Sequence, residues 1–410
     1  MSENRVKRHL AAVLAADVAG YSRLTTVPIK PIGETWAFST AIGGLLAIAT
    51  AIGIGRFVYT PILPPMIDAL GLSKAQAGLI ASANFLGYLI GALLAAMPTL
   101  PGSRRLWLLC ALTVSSLTTA AMGLSGTIPA FLVLRFVGGA ASAFVLIIAS
   151  TVVLERLARV GRSGLSALHF AGVGSGIAVS AVLVAAMLRL DHDWRSLWLA
   201  SGAVSIGAVF AVAILLPNSV ANADALPARG RGAALDAGLH RLIMAYGLFG
   251  FGYIITATFL VTIVGGTPVI RALEPVIWIV FGLAAAPSVA LWAWIAKRLN
   301  IPTAFALACV IEAMGVLASV AWQTAGGIFV ASILVGATFM GITALGLIQA
   351  RALAPGDPRR ALALMTGAFG LGQIVGPAFA GILSDSLGSF TVPSIAAAIA
   401  LLLAAVLARN

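Results

Sequence analysis

The chain has 410 residues, 60% of them hydrophobic and only 9% charged, with a mean hydropathy of +1.06. A water-soluble domain carries roughly a quarter charged residues, so water is excluded as the main solvent of this chain. The formal charge of +12 calls for no nucleic acid, because the basic residues cluster in loops in a way that marks membrane topology.

Residues 1–35 carry scattered charge and two prolines with no cleavable leader pattern, so the first helix is expected to stay in the membrane. A helix needs about 20 apolar residues to cross the hydrocarbon core. In chain order, such runs lie at 37–58, 75–97, 105–124, 128–154, 164–188 and 196–216. A polar stretch, 217–239, interrupts them. Six more follow at 241–264, 275–296, 302–322, 326–349, 361–383 and 391–408. The short connectors PGSRR, LSGT, RLDHDW and APGDPRR hold the turn formers and most of the charges.

With the N-terminus in the cytoplasm, nineteen of the 25 Lys and Arg residues fall in the tail, the even-to-odd loops and the C-terminus. Lys74, Arg189, Arg195 and Arg271 fall on the opposite side, and Arg56 and Arg135 lie within apolar runs. This bias predicts that both termini are cytoplasmic. Cys110 and Cys309 stand alone in separate apolar runs, which predicts two inert buried thiols and neither a disulfide nor a zinc site.

The two sets of six runs are related. Gly53 and Gly55 fall on Gly250 and Gly252 at an offset of 197. Gly138 falls on Gly336, and Gly172 and Gly174 fall on Gly370 and Gly372, at 198. Close helix packing alone could account for any one of these glycines. Together they point to a parallel 6+6 duplication, the arrangement of transporters whose halves rock about a midplane site.

The runs GIGRFVYTPILPPM (53–66), ASANFLGYLIGALLAA (81–96) and RSGLSALHFAGVGSGIAVSA (162–181) resemble the YbfB/YjiJ family of major facilitator transporters. The resemblance extends from residue 36 to the C-terminus. It implies the twelve-helix facilitator fold with an inward-facing central cavity, and it supplies no substrate. Many facilitators carry G-x-x-x-D-R-x-G-R in the 2–3 loop; here GALLAAMPTLPGSRR has arginines but no acid, leaving the usual charge latch without its carboxylate. Arg135 to Gly139 gives R-x-x-G-G, similar to a facilitator pattern with Gln where Gly138 stands. Separately, RHLAAVLAADVAGYSRL (8–24) is similar to the opening strand of class III nucleotide cyclases, with Asp17 at a metal-binding position. The rest of a cyclase is absent. Residues 1–35 therefore read as a non-functional tail, and a chain lacking residues 1–33 is expected to insert and transport.

An ionisable side chain at mid-bilayer costs about 2.5–3.5 kcal/mol, so those present should face a cavity or a partner. Arg56 is the sharpest candidate: it precedes YTPILPP, read as the helix exit, which places it near the outer end as an anion site or as a snorkelling cation. Arg135 is a candidate for coupling or a structural pair, His169 for a proton relay or a structural hydrogen bond, and Glu312 for a proton carrier or helix pairing. Tyr59, Asn84, Tyr88, Tyr253 and Gln373 are candidate cavity hydrogen-bonders. Asp68 and Glu155 read as boundary charges, and Trp194, Trp198, Trp292 and Trp294 as interface markers.

The chain thus reads as an all-α membrane protein with twelve transmembrane helices in a 6+6 pseudo-symmetric facilitator fold. Its parts are a tail (1–35), an N-terminal bundle (36–216), a linker (217–239) and a C-terminal bundle (240–410). Without a Walker A, G-x-S-x-G or HExxH motif, neither ATP-driven pumping nor the usual membrane hydrolases have support, and no cofactor or metal is expected. The expected function is secondary active transport by a monomer in the inner membrane, proton-coupled, with export favoured over import. The solute is a small organic molecule, either an organic anion or a hydrophobic drug; the other expected partners are lipid and protons, with no nucleic acid. A non-transporting enzyme, scaffold or sensor is the alternative. The loop RLDHDWR, with Asp191, His192 and Asp193 together, is the one cluster an enzyme could use.

Overall fold

The computed structural model describes residues 34–97, 102–216, 237–354 and 358–409. The cyclase-like segment 8–24 and residues 217–236 of the linker lie outside the described residues. Among the described residues eleven helices are long and apolar enough to cross a membrane, and one bent pair supplies a twelfth span. Backbone groups in hydrocarbon must find partners within the protein, which is why such apolar runs fold as helices.

The first span is α1 (Glu34–Ile48), a π-helical segment (Ala49–Ile54) and α2 (Tyr59–Leu70). The N-terminal half continues with α3 (Lys74–Ala95), α4 (Arg104–Ala121), α5 (Ile128–Arg159), α6 (Ser166–Leu188) and α7 (Trp194–Leu215). In the C-terminal half, α8 (Ala237–Gly265) is followed by the bent pair α9 (Glu274–Ala285) and α10 (Ser288–Leu299), then by α11 (Ile301–Ala321), α12 (Ala325–Leu353), α13 (Pro358–Leu387) and α14 (Thr391–Arg409). The bend of 45° falls at Pro287, whose ring removes a backbone donor and opens the helix there.

Local chemistry sets the ends. Gly71 takes a left-handed conformation (φ 63°) after α2, and Ser73 and Gln76 form a capping box that starts α3. Asp193, Asn300 and Thr324 cap α7, α11 and α12 through their side chains. Asp193 Oδ1 accepts from Ser196 N (2.9 Å) and Ser196 Oγ (2.6 Å), and these hydrogen bonds hold its carboxyl below the usual carboxylate range. The RLDHDWR cluster therefore ends a turn and starts a helix. No group of three metal-ligating side chains occurs among the described residues.

Glu34, Leu215, Ala237 and Arg409 end their helices on one face, called here the terminal face; the opposite face is the far face. The halves meet through three helix pairs: α3 with α13, α6 with α9, and α2 with α8. Each half contributes equivalent helices, as the 197–198 offset requires. Gly172 of α6 packs on Leu45 of its own half and Gly174 on Ala286 across the interface; their repeat-mates do the reverse, Gly370 on Leu89 across the interface and Gly372 on Gly247 within.

At the far face the halves are joined by hydrogen bonds. Asp385, near the end of α13, accepts from Lys74 N (3.0 Å) and Ala75 N (2.8 Å), the free N–H groups that begin α3. Deeper in the spans, eight residues into α3, Ser82 Oγ donates to Ile374 O (2.7 Å), and one turn beyond Arg56 Thr60 Oγ1 donates to Ala257 O (2.8 Å).

Several sequence expectations are corrected here. Trp194, Trp198 and Trp292 are buried, and Trp292 donates to Ala337 O (2.8 Å); of the four only Trp294 is exposed. Their places near span ends coincide with helix–helix contacts, which bury aromatic rings more fully than an interface does. Cys110 is exposed while Cys309 is buried. Glu155 is no boundary charge: it lies buried on α5, paired with Arg159 and 3.6 Å from Arg104. The carboxylate missing from the 2–3 loop is thus supplied from α5.

Candidate functional site

The site begins with a defect in the first span. Gly55 N bonds Thr50 O (2.8 Å) and Phe57 N bonds Ile52 O (3.2 Å), the wide spacing of a π-helix, which in helices is frequently found at functional sites. Residue 61 is a proline and has no N–H to give the carbonyl of Phe57. That carbonyl takes Thr60 N instead (3.2 Å). The carbonyl of Arg56 loses its usual partner as a result. Arg135 on α5 fills the gap: Nη1 donates to Gly55 O (3.0 Å) and Nη2 to Arg56 O (3.1 Å).

This geometry revises the depth of Arg56. The span runs from Trp36 to Leu70, so YTPILPP is no exit and Arg56 sits mid-span, at the break. Pro61 is tolerated because it falls in the first turn of α2, where N–H groups lack helical partners anyway.

A supporting cluster surrounds the break. Tyr59 donates to Ala77 O (2.8 Å), its ring lies 4.9 Å from the Arg135 guanidinium, and Asn84 Nδ2 donates to Arg135 O (2.9 Å). Gly139 of α5 lies against the carbonyl of Asn84, and Gly87 of α3 against that of Phe136, so no side chain could fit at either contact. Tyr59, Asn84 and Arg135 thus fix the broken span against α3 and α5.

Arg56 faces the other way. It is 6% exposed, its guanidinium lies 4.0 Å from the centre of the Tyr88 ring and 5.4 Å from that of Phe85, and Nε and Nη2 have no hydrogen-bond partner. No salt bridge to Arg56 occurs among the described residues. Across the interface stands Tyr253 of α8, within electrostatic reach of Arg56, Tyr88 and Glu312. Gln373 Nε2 of α13 donates to Tyr253 Oη, leaving Oε1 without a partner.

Behind this pair the rings form a shelf. Tyr253 is nearly parallel to Phe369 (4°, 5.8 Å) and to Phe339 (8°, 5.6 Å), and Tyr246 and Phe249 continue the stack. Glu312 on α11 is fully buried with both carboxylate oxygens unpartnered. His169 is elsewhere. It is buried with Nε2 3.0 Å from Ser150 Oγ and lies against Gly44, twelve residues before Arg56 and so about 18 Å away along a helix.

Of the residues the sequence singles out, the structure brings together Arg56, Tyr88, Tyr253 and Gln373. It sets Tyr59, Asn84 and Arg135 beneath them, Glu312 within electrostatic reach of Tyr253, and His169 apart. Phe85, Phe339 and Phe369 belong to the site and were missed. Spacing carried part of the signal: Tyr246, Phe249 and Tyr253 stand at i, i+3 and i+7, and Phe369 and Gln373 at i and i+4.

Two six-span halves around a polar break in the first span define a transporter of the major facilitator type. Residues 48–409 match the family model described as "Uncharacterised MFS-type transporter YbfB", and the chain belongs to that family. Solved structures share the fold. A point mutant of the nucleoside transporter NupG gives a TM-score of 0.69 at 14% identity, covering 91% of this chain and 98% of that one. NupG without that change gives 0.68 at 15%, with the same coverage. A bacterial homologue of the human lysosomal transporter Spinster, in an inward-facing and unoccupied conformation, gives 0.65 at 15%, covering 92% and 97%. No curated protein sequence matches the chain.

Proposed function

We propose that this protein is a secondary active transporter that moves a small organic solute across the inner membrane by alternating access, coupled to protons. The observation that carries this reading is Arg56: a buried cation with two free donors, placed at a helix break between two halves that meet through symmetric helix pairs. Discontinuous helices at the repeat interface are where secondary transporters place their substrates. The bonds of Asp385 at the far face, and of Ser82 and Thr60 deeper in the spans, fit a state closed on the far-face side of Arg56. The excess of Lys and Arg supports a cytoplasmic terminal face.

Glu312 is the acid we assign to the proton, because it is fully buried with both carboxylate oxygens unpartnered and lies within electrostatic reach of Tyr253. His169 we assign to packing, since Ser150 and Gly44 enclose it.

Purified protein in liposomes with an interior pH dye, given a mixed panel of metabolites and antimicrobials, tests the reading. A solute that shifts interior pH in wild type but not in Glu312→Gln, while counterflow of that solute persists in the variant, is the expected result. Single cysteines on both faces that never change accessibility relative to each other would overturn alternating access.

A further inference from the structure

We infer that the Arg56 site takes a planar aromatic monocarboxylate. This rests on the transporter reading and narrows its solute. The two free donors of Arg56, Nε and Nη2, share one edge of the guanidinium plane. That edge presents two parallel N–H groups, the spacing that a carboxylate accepts with both oxygens. The cation has no acid partner among the described residues, and buried donors left unpaired are costly, so the site favours an anion over water or a neutral solute.

A carboxylate bound in this way lies in the plane of the guanidinium, and a ring conjugated to it lies in that plane too. The surroundings suit such a body. Tyr88 and Phe85 lie 4.0 and 5.4 Å from the guanidinium on one side, and the parallel rings of Tyr253, Phe369 and Phe339 form a shelf on the other half. Gln373 Oε1, unpartnered beside Tyr253, is an acceptor for a hydroxyl or N–H on the ring. A second positive group is unsuited here, because Arg56 would repel it.

The probes are benzoate, 4-hydroxybenzoate, cyclohexanecarboxylate and benzamide, titrated into the full-length protein in detergent and followed by the shift in unfolding temperature. Benzoate and 4-hydroxybenzoate should stabilise wild type, 4-hydroxybenzoate more strongly, with cyclohexanecarboxylate several-fold weaker and benzamide inactive. Arg56→Gln should lose affinity by about tenfold or more, and Arg56→Lys should fall between, since it keeps the charge without the fork. Phe210→Ala, on an exposed ring, should bind as wild type does.

Benzamide binding as tightly as benzoate, an unchanged affinity in Arg56→Gln, or no response to any of the carboxylates at millimolar concentration would each overturn the inference. Counterflow of a neutral or cationic solute at equal rates in wild type and Arg56→Gln would also overturn it while leaving the transporter intact. The cysteine accessibility experiment judges the transporter itself, whatever benzoate does.

Discussion

Thr60 and Ala257 are repeat-mates, 197 residues apart, and the hydroxyl of one is bonded to the carbonyl of the other at 2.8 Å. The pseudo-two-fold axis therefore passes between them, and the bond closes the two halves against each other at their equivalent positions. Thr60→Val removes it at nearly constant shape. Closure at the far face should weaken by about 1 kcal/mol, roughly fivefold in population. A cysteine at buried Val261, in a chain carrying Cys110→Ser and Cys309→Ala, should then be labelled faster by a far-face reagent. Unchanged labelling would show that the bond plays no part in the closure.

Arg135 spans two carbonyls of the broken span, a task for a planar fork and not for a point charge. Arg135→Lys should lower the free energy of unfolding by about 2 kcal/mol, with Arg135→Ala lower still. Thermal unfolding in detergent measures this. A Lys variant as stable as wild type would mean the carbonyls of Gly55 and Arg56 find other donors.

Two glycines separate packing from propensity. At Gly139 a methyl group would run into the carbonyl of Asn84, whereas at Gly207 of α7 it would meet open space. Gly139→Ala should therefore destabilise the protein by about 1–3 kcal/mol through overpacking. Gly207→Ala should be neutral or stabilise it by up to about 1 kcal/mol through helix propensity. The paired unfolding temperatures decide the matter, and equal shifts would contradict the close approach of α3 and α5.

Asp193 caps α7 outside the membrane span, and Ser196 holds its carboxyl below the normal range. A group whose pKa is lowered on folding contributes stability above its unfolded value, and that contribution fades as the pH falls through the folded value. Asp193→Ala should cost about 0.5–2 kcal/mol at neutral pH, the usual worth of such a cap. The deficit should shrink in acid, below the ordinary Asp range; a deficit constant with pH would remove the carboxylate from the explanation.

The span count and its division into halves were legible because both follow from solvent: hydrocarbon demands long apolar helices, and duplicated packing repeats small residues at one offset. Arg56 was legible for the same reason, as a cation where cations are costly. Its depth was not. The run YTPILPP resembles a helix end unless the π segment before it is known, and a π turn leaves no mark in composition. The acid partner of Arg104 was hidden in α5, far away in sequence. The ring shelf was hidden because Phe in an apolar run looks alike whether it faces a neighbour, lipid or a cavity.

The guanidinium in the middle of the first span, without an acid partner among the described residues, also sets the electrical character of the proposed cycle. With Glu312 protonated, the empty site carries a full positive charge across the low-dielectric interior whenever the halves change sides; filled by a monoanion, the pair is neutral. Membrane voltage, worth about 2.3 kcal/mol per charge per 100 mV, then acts on the return of the empty protein and hardly on the loaded step. Exchange of one anion for another should accordingly run with little dependence on voltage, while net movement in Glu312→Gln, where that side chain stays neutral, should respond to it.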